Sequence, residues 1–156
     1  MKPDEILTLG WREWVGLPQL GLPEIKAKVD TGARTSTLHA FEVETFSEDG
    51  KPRVRFKMHP VQRDLKVVVN CVADIIDERF VTDSGGHREQ RLIISTLLTI
   101  GPWSWPIEMT LTARDNMMFR MLLGRTAIKG IAMVDPSLSY AIGKRKRQKR
   151  PARNES

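Results

Sequence analysis

The sequence predicts an all-β domain with one short C-terminal helix, and three observations support this prediction. Apolar and polar residues alternate in several short segments, turn residues separate these segments about every ten positions, and only RTAIKG at 125–130 has a helical pattern. Alternation with a period of two places successive side chains on opposite faces of a strand. Many short strands with regular turns favour a closed or sandwiched sheet.

Strand-like segments follow one another along the chain. They occupy positions 25–29, 41–45, 54–58, 67–72, 90–100, 107–111, 119–124 and 131–134. Segments 41–45 and 54–58 flank the turn SEDGKP and read as a hairpin with one buried and one solvated face. The β-branched run 67–72 predicts a more buried strand. Gly101-Pro102 and Trp105-Pro106 indicate a connection rather than a strand.

The net charge of +6 is confined to the C-terminal end. Residues 144–156 contain seven Lys or Arg and one Glu, whereas residues 1–143 contain eighteen of each sign. We therefore predict a neutral domain over 1–143 and a disordered basic tail over 144–156. Such a tail predicts association with RNA or the ribosome, with a merely solubilising end as the alternative.

Composition also indicates a compartment. No apolar run approaches the roughly 20 residues that span a bilayer, and the N-terminal residues lack the apolar core of a secretory signal. Cys71 is the only cysteine, so no disulfide can form within the chain. These features predict a cytoplasmic protein without a membrane partner.

The segment KVDTGARTSTLHA at 28–40 is the first candidate for chemistry. The predicted strand ends at Asp30, and a loop of small residues follows it. In this loop Gly32 permits a tight turn, and Ala33 leaves room beside the Asp30 carboxylate. The plain alternative is an Asx turn, because Asp-Thr-Gly is favourable turn chemistry.

A second segment strengthens the first. MLLGRTAI at 121–128 is an apolar strand that ends at a glycine before a short helix. The pairing of Asp-Thr-Gly-Ala with a late apolar-apolar-Gly-Arg resembles the retropepsin-like aspartic proteases. Together with RVRFKMHPVQ at 53–62 and SGGHREQR at 84–91, it resembles more closely the bacterial group described as ATP-dependent zinc proteases, which includes RimB.

This resemblance implies a retropepsin-like closed barrel that works as a homodimeric aspartic peptidase. Two Asp30 carboxylates would share a proton across the two-fold axis and activate a water, with Thr31 and Gly32 shaping the loop. Leu123 and Gly124 would support that loop from beneath. No metal or cofactor is required by this scheme.

The resemblance also suggests a substrate. Retropepsins usually place an acid where this chain has Arg34, and that acid pairs with the arginine found here as Arg125. We therefore expect Arg34 and Arg125, beside Ala33, to bind acidic peptide, such as the glutamate-rich tails of ribosomal protein S6. The alternative is that Glu24, Glu42 or another internal acid neutralises one arginine.

The flap over the substrate has two candidates. The turn DSGGH at 83–87 is preferred, because Gly85 and Gly86 give a tip without side chains. The turn at 47–50 is the alternative. In the first case Gly85 and Gly86 would contact substrate. Close to this turn, Glu89 and Arg91 lie two apart on one strand face and are expected to form a weak surface pair.

Two other functions remain open. A zinc-dependent peptidase would need three or four converging ligands, yet His39, His59 and His87 are widely separated and Cys71 lies in an apolar strand. No phosphate-binding glycine motif supports ATP binding. A non-catalytic dimeric module that docks on RNA or the ribosome through its tail is the remaining alternative.

Overall fold

The structure is a computed structural model that describes residues 6–82, 85–113 and 118–143. Within these ranges the chain forms eleven strands, one α-helix and a 3-10 turn at Pro18–Leu20. The elements are β1 (Leu7–Leu9), β2 (Arg12–Leu17), β3 (Leu22–Asp30), β4 (Ser36–His39), β5 (Phe41–Glu48), β6 (Lys51–Met58), β7 (Val69–Thr82), β8 (Arg88–Ile100), β9 (Trp103–Thr112), β10 (Met121–Gly124), α1 (Arg125–Ile128) and β11 (Ala132–Val134).

Nine strands form one sheet whose order is β2-β3-β10-β4-β9-β8-β7-β6-β5. A further pairing, between Gly16 of β2 and Thr99 of β8, closes six of these strands into a ring. The prediction of a mainly β domain with one short helix is confirmed, and closure takes the form of this ring. The strands of the ring contribute much of the apolar core, including Leu38, Ile94 and Met109, each with no exposed surface.

The long hairpin of β7 and β8 connects the ring to the remaining strands. β7 pairs with β8 from Ile75 to Thr82, and its first half, from Val69 to Asp74, pairs with β6. Alternation predicts β6 correctly, because Val54, Phe56 and Met58 are fully buried. The expected buried face of the 41–45 segment is wrong: β5 is the edge of the sheet, and Val43 is 41% exposed.

Three further sequence expectations need correction. The run 67–72 is not a buried strand, because β7 begins only at Val69 and residues 67, 68 and 72 are all more than 40% exposed. The expected connection is confirmed at Gly101-Pro102, which forms the turn between β8 and β9, but it is wrong at Trp105-Pro106, which lies within β9. Strands β1, β2 and β4 were not predicted. All four residues of β4 are buried, so this strand has no alternation to reveal it.

No helix in the described ranges is long and apolar enough to cross a membrane. The predicted basic tail, residues 144–156, lies outside the described residues.

The two ends of the domain are joined by short strands and by a buried carboxylate. β1 and β11 form a separate two-stranded parallel sheet. Next to it, the fully buried Glu13 side chain accepts hydrogen bonds from the backbone N–H groups of Gly10 at 2.6 Å, Ala141 at 2.9 Å and Ile142 at 3.2 Å. One side chain therefore ties the C-terminal segment to the start of β2.

We predict that Glu13→Ala lowers the free energy of unfolding by about 3 kcal/mol, because three backbone donors lose their acceptor. Urea unfolding measures this change. Glu44→Ala is the matched control, since Glu44 is exposed and lies 3.8 Å from Arg55. Its expected effect is below about 0.5 kcal/mol. Equal losses in both variants would show that the buried carboxylate has no special role.

Candidate functional site: an arginine-lined cavity beside the Asp30 loop

The Asp30 loop follows β3 directly. Asp30 is the last residue of β3, and its Oδ1 accepts a hydrogen bond of 3.0 Å from the Gly32 backbone N–H. The Ala33 N–H donates to the Asp30 carbonyl at 3.1 Å. The loop is thus an Asx-type turn, which holds the Asp30 carboxylate in one orientation.

β10 and α1 hold the loop from the other side. β10 runs parallel to the end of β3, with Gly124 opposite Asp30. The backbone N–H groups of Arg125 and Thr126 donate to the carbonyls of Ala33 and Arg34 at 2.8 and 3.0 Å. The Arg125 Nη1 donates to the Thr31 carbonyl at 3.0 Å. Part of the Arg125 guanidinium is therefore engaged in fixing the loop.

Gly124 is required by the close approach of the two segments. A Cβ added there would lie 2.5 Å from the Thr35 carbonyl carbon and 2.8 Å from the Ser36 nitrogen. The Gly124 N–H also donates to the Ser36 Oγ at 2.9 Å. Any side chain at position 124 would push β10 away from the strand that follows the Asp30 loop.

We predict that Gly124→Ala destabilises the fold by roughly 3 kcal/mol or more, because backbone atoms cannot move aside as a flexible side chain can. Gly50→Ala is the control: its φ of 78° brings strain, but no atom lies within 4 Å of the added Cβ. That variant is expected to cost only about 1–2 kcal/mol. Chemical denaturation of both proteins compares the two, and a smaller loss for Gly124→Ala would contradict the steric argument.

A cavity of about 1390 Å³ opens beside this loop. Of the residues predicted to form the site, the cavity lining includes Asp30, Gly32, Ala33, Arg34, Gly85 and Arg125. Thr31, Gly86, Leu123 and Gly124 lie outside the lining, and Leu123 and Gly124 are buried in β10. The turn at 47–50 does not reach the cavity, whereas residues 80–82, 85 and 87 of the β7–β8 hairpin line it.

Two arginines in the lining were not predicted as site residues. Arg79, on β7, pairs with Asp77 at 2.7 Å and with Glu108 of β9 at 3.4 Å. The hydrogen bond with Asp77 raises the pKa of Arg79 and lowers that of Asp77. Arg91, on β8, pairs with Glu89 as expected, but it is only 7% exposed. The expectation of a weak pair at the surface is therefore wrong.

Arg91 sits in a polar network at the wall of the cavity. Its Nε donates to the Glu89 Oε2 at 2.7 Å, and its Nη1 donates to the hydroxyls of Thr110 and Thr37 at 3.3 and 3.5 Å. Thr112 also donates to the Glu89 Oε2, at 2.9 Å. Burial alone would raise the pKa of Glu89, but the bonds from Thr112 and Arg91 outweigh it and lower that pKa. Glu89 is therefore ionised at neutral pH.

Two arginines of the lining are left without an ion pair among the described residues. The lining includes four arginines, at 34, 79, 91 and 125, and two carboxylates, Asp30 and Glu108. Arg79 and Arg91 are paired, the first with Asp77 and Glu108 and the second with Glu89, whereas Arg34 and Arg125 form no ion pair with any described residue. Arg34 is exposed, and its guanidinium makes no hydrogen bond or ion pair with any described residue. The alternative that Glu42 neutralises an arginine of the site is wrong, because Glu42 pairs with Lys57 at 2.8 Å. The cavity is thus suited to an anionic ligand.

The candidate metal ligands do not converge. Across the described residues there is no group of three or more His, Cys, Asp or Glu side chains that could hold a metal ion. His59 stacks on Phe41 at 4.6 Å, and its Nδ1 lies 3.2 Å from the Val67 carbonyl. Cys71 is 2% exposed, and burial raises the pKa of its thiol to about 11.

We predict that Cys71 in the folded protein resists alkylation. With a pKa of about 11, only about one thiol in a thousand is a thiolate at pH 8, and the thiolate is the reactive form. Iodoacetamide at pH 8 should label the native protein at least a hundredfold more slowly than the protein in 8 M urea, as followed by mass spectrometry. Comparable rates would contradict the burial of this thiol.

Comparison with known proteins identifies the family. A family model described as RimB-like, retropepsin-like aspartic endopeptidase RimB, matches residues 8–145. The chain therefore belongs to the RimB-like family. A solved structure of a Legionella pneumophila protein of unknown function shares the fold, with a TM-score of 0.74 and 24% identity over 88% of this chain and 99% of that one.

Several relatives of this chain are named as glutamate ligases. Proteins named probable alpha-L-glutamate ligase match from Shewanella pealeana at 42% identity, Desulfotalea psychrophila at 45% and Parasynechococcus marenigrum at 46%. The alignments cover 91%, 86% and 88% of this chain but only 31%, 29% and 29% of those proteins. The chain thus spans about a third of the length of these relatives.

These names correct the predicted activity. The sequence predicted a peptidase, with an aspartic mechanism or, as an alternative, a zinc-dependent one. Relatives that share more than 40% identity over nearly the whole chain are named as ligases, not as proteases or zinc proteases. The peptidase prediction is contradicted by this finding. An Asp-Thr-Gly loop defines a local loop geometry, but neither the loop nor the fold that carries it establishes hydrolysis.

Proposed function

We propose that this domain binds glutamate-rich peptide chains and assists an alpha-L-glutamate ligase that extends them. The observation that supports this most directly is that Arg34 and Arg125 line the cavity beside the Asp30 loop and form no ion pair with any described residue. Carboxylates are the side-chain partners that a guanidinium binds best, through paired and charge-assisted hydrogen bonds. A chain of glutamates would present one such partner at every residue.

The size of the cavity is sufficient for several residues of a peptide. Its walls come from the Asp30 loop, the β7–β8 hairpin, β9 and the start of α1, and they enclose about 1390 Å³. Apolar side chains, including Phe80, Ile107 and Leu122, lie among the charged ones. They can contact the methylene groups of glutamate side chains while the arginines bind the carboxylates.

Such a binding domain would assist ligation by holding the acceptor chain. A ligase that extends a peptide must meet the same chain end repeatedly. A second binding site linked to the ligase converts each new encounter into an intramolecular one, with an effective concentration that can reach the millimolar range. Weak binding by this domain is then sufficient for the proposed role.

We predict that the protein binds fluorescein-labelled tetraglutamate and that Arg34→Ala weakens this binding about tenfold, because one exposed charge-assisted hydrogen bond is lost. Raising the salt concentration from 0.05 to 0.5 M should weaken binding by the wild type, since the arginines at the cavity rim are screened by salt. Fluorescence anisotropy measures both effects.

Arg55→Ala is the matched control for this measurement. It removes the same charge from β6, where Arg55 pairs with Glu44 and packs over Phe46, away from the cavity lining. We expect its affinity for tetraglutamate to equal that of the wild type. Absence of measurable binding by the wild type, or equal binding by both variants, would overturn the proposed function.

The remaining partner assignments stay predictions. A homodimer is expected from the resemblance to retropepsins alone. Association of residues 144–156 with RNA or the ribosome, and a cytoplasmic location, rest on the sequence alone.

A further inference from the structure

Resting on the proposed function, we infer that Arg91 forms a second, deeper carboxylate site at the wall of the cavity and confers preference for glutamate over glutamine. This site is distinct from the exposed arginines at the rim, Arg34 and Arg125. The rim arginines would attract an acidic peptide by charge. Arg91 would bind one carboxylate of that peptide in a fixed geometry.

The burial of Arg91 is the first observation. Arg91 is more than nine-tenths buried, yet it belongs to the cavity lining together with Thr37 and Thr112. Its small exposed surface therefore faces the cavity. A buried cation in a partly desolvated wall interacts with an anion more strongly than an exposed one does, because water screens it less.

The free donors of Arg91 are the second observation. A guanidinium has five N–H donors, and in Arg91 the Nε and Nη1 atoms bond to Glu89, Thr110 and Thr37. These bonds fix the plane of the group. Its Nη2 atom makes no hydrogen bond with any residue in the described ranges. A carboxylate that enters the cavity can accept from this atom, whereas the neutral amide oxygen of glutamine forms a weaker hydrogen bond there, because only the donor is charged.

Glu89 is the resident counterion of this site. It occupies the Nε side of Arg91, and its own side chain is 37% exposed. It therefore limits the net positive charge that an entering carboxylate meets. The affinity of the deep site is set by the balance between Arg91 and Glu89, so opposite changes in binding are expected from variants of the two residues.

The test compares tetraglutamate with tetraglutamine, and the measured quantity is the ratio of their dissociation constants. Arg91→Lys keeps the charge but loses the planar, fixed donors, so it should reduce the preference for tetraglutamate about tenfold. Arg55→Lys makes the same exchange outside the cavity lining and should leave the ratio unchanged. Glu89→Gln removes the counterion and should strengthen tetraglutamate binding severalfold, without strengthening tetraglutamine binding.

The possible outcomes separate the two proposals. Lack of tetraglutamate binding by the wild type would overturn the proposed function. A second outcome is that the wild type binds tetraglutamate but Arg91→Lys leaves the ratio of dissociation constants unchanged, because the affinities for both peptides fall equally or not at all. That outcome would overturn only the deep site and leave Arg91 a structural residue. If Arg91→Lys fails to fold, Glu89→Gln decides: stronger binding of tetraglutamate alone supports the deep site, and any other result contradicts it.

Discussion

The close passage of β10 beneath the Asp30 loop is the constraint on which the site depends. Gly124 lies opposite Asp30, and only a residue without a Cβ permits the approach to Thr35 and Ser36. This approach brings the first turn of α1 within hydrogen-bonding distance of the loop carbonyls at 33 and 34. The loop conformation, the position of Arg125 and one wall of the cavity therefore follow from a single backbone contact between segments that are 94 residues apart in sequence.

The electrostatics of the cavity are arranged in two layers. At the rim, Arg34 and Arg125 are exposed, so their attraction for an anion is long in range but reduced by water and salt. In the wall, Arg91 is buried and held by a carboxylate and two threonine hydroxyls. Burying a cation is costly unless it is paired, and Glu89 supplies that pairing. The first layer favours capture, and the second favours discrimination between charged and neutral side chains.

Much of the fold could be predicted from alternation, and the exceptions have physical causes. β3 and β6 were predicted because each has one buried and one solvated face. β4 was missed because all of its side chains are buried, and the exposure of β5 was missed because a sequence pattern does not show which strand is at an edge. Likewise, the spacing of Glu89 and Arg91 predicts a pair on one face, but only the closed ring places that face against the cavity. The motif around Asp30 identified the family, whereas activity depends on what the whole protein does with the site.

The bonds to Glu13 have a consequence for how the domain can be assembled into larger proteins. They hold residues 10, 141 and 142 around one carboxylate, and the β1–β11 pairing lies beside them. A position close to the N-terminal end of the described chain, residue 10, and positions close to its C-terminal end, 141 and 142, therefore lie side by side. A domain with adjacent ends can be joined to, inserted into or circularly permuted within another chain without separating its core strands. The RimB-like domain is thus suited to being joined to other domains or inserted into other chains.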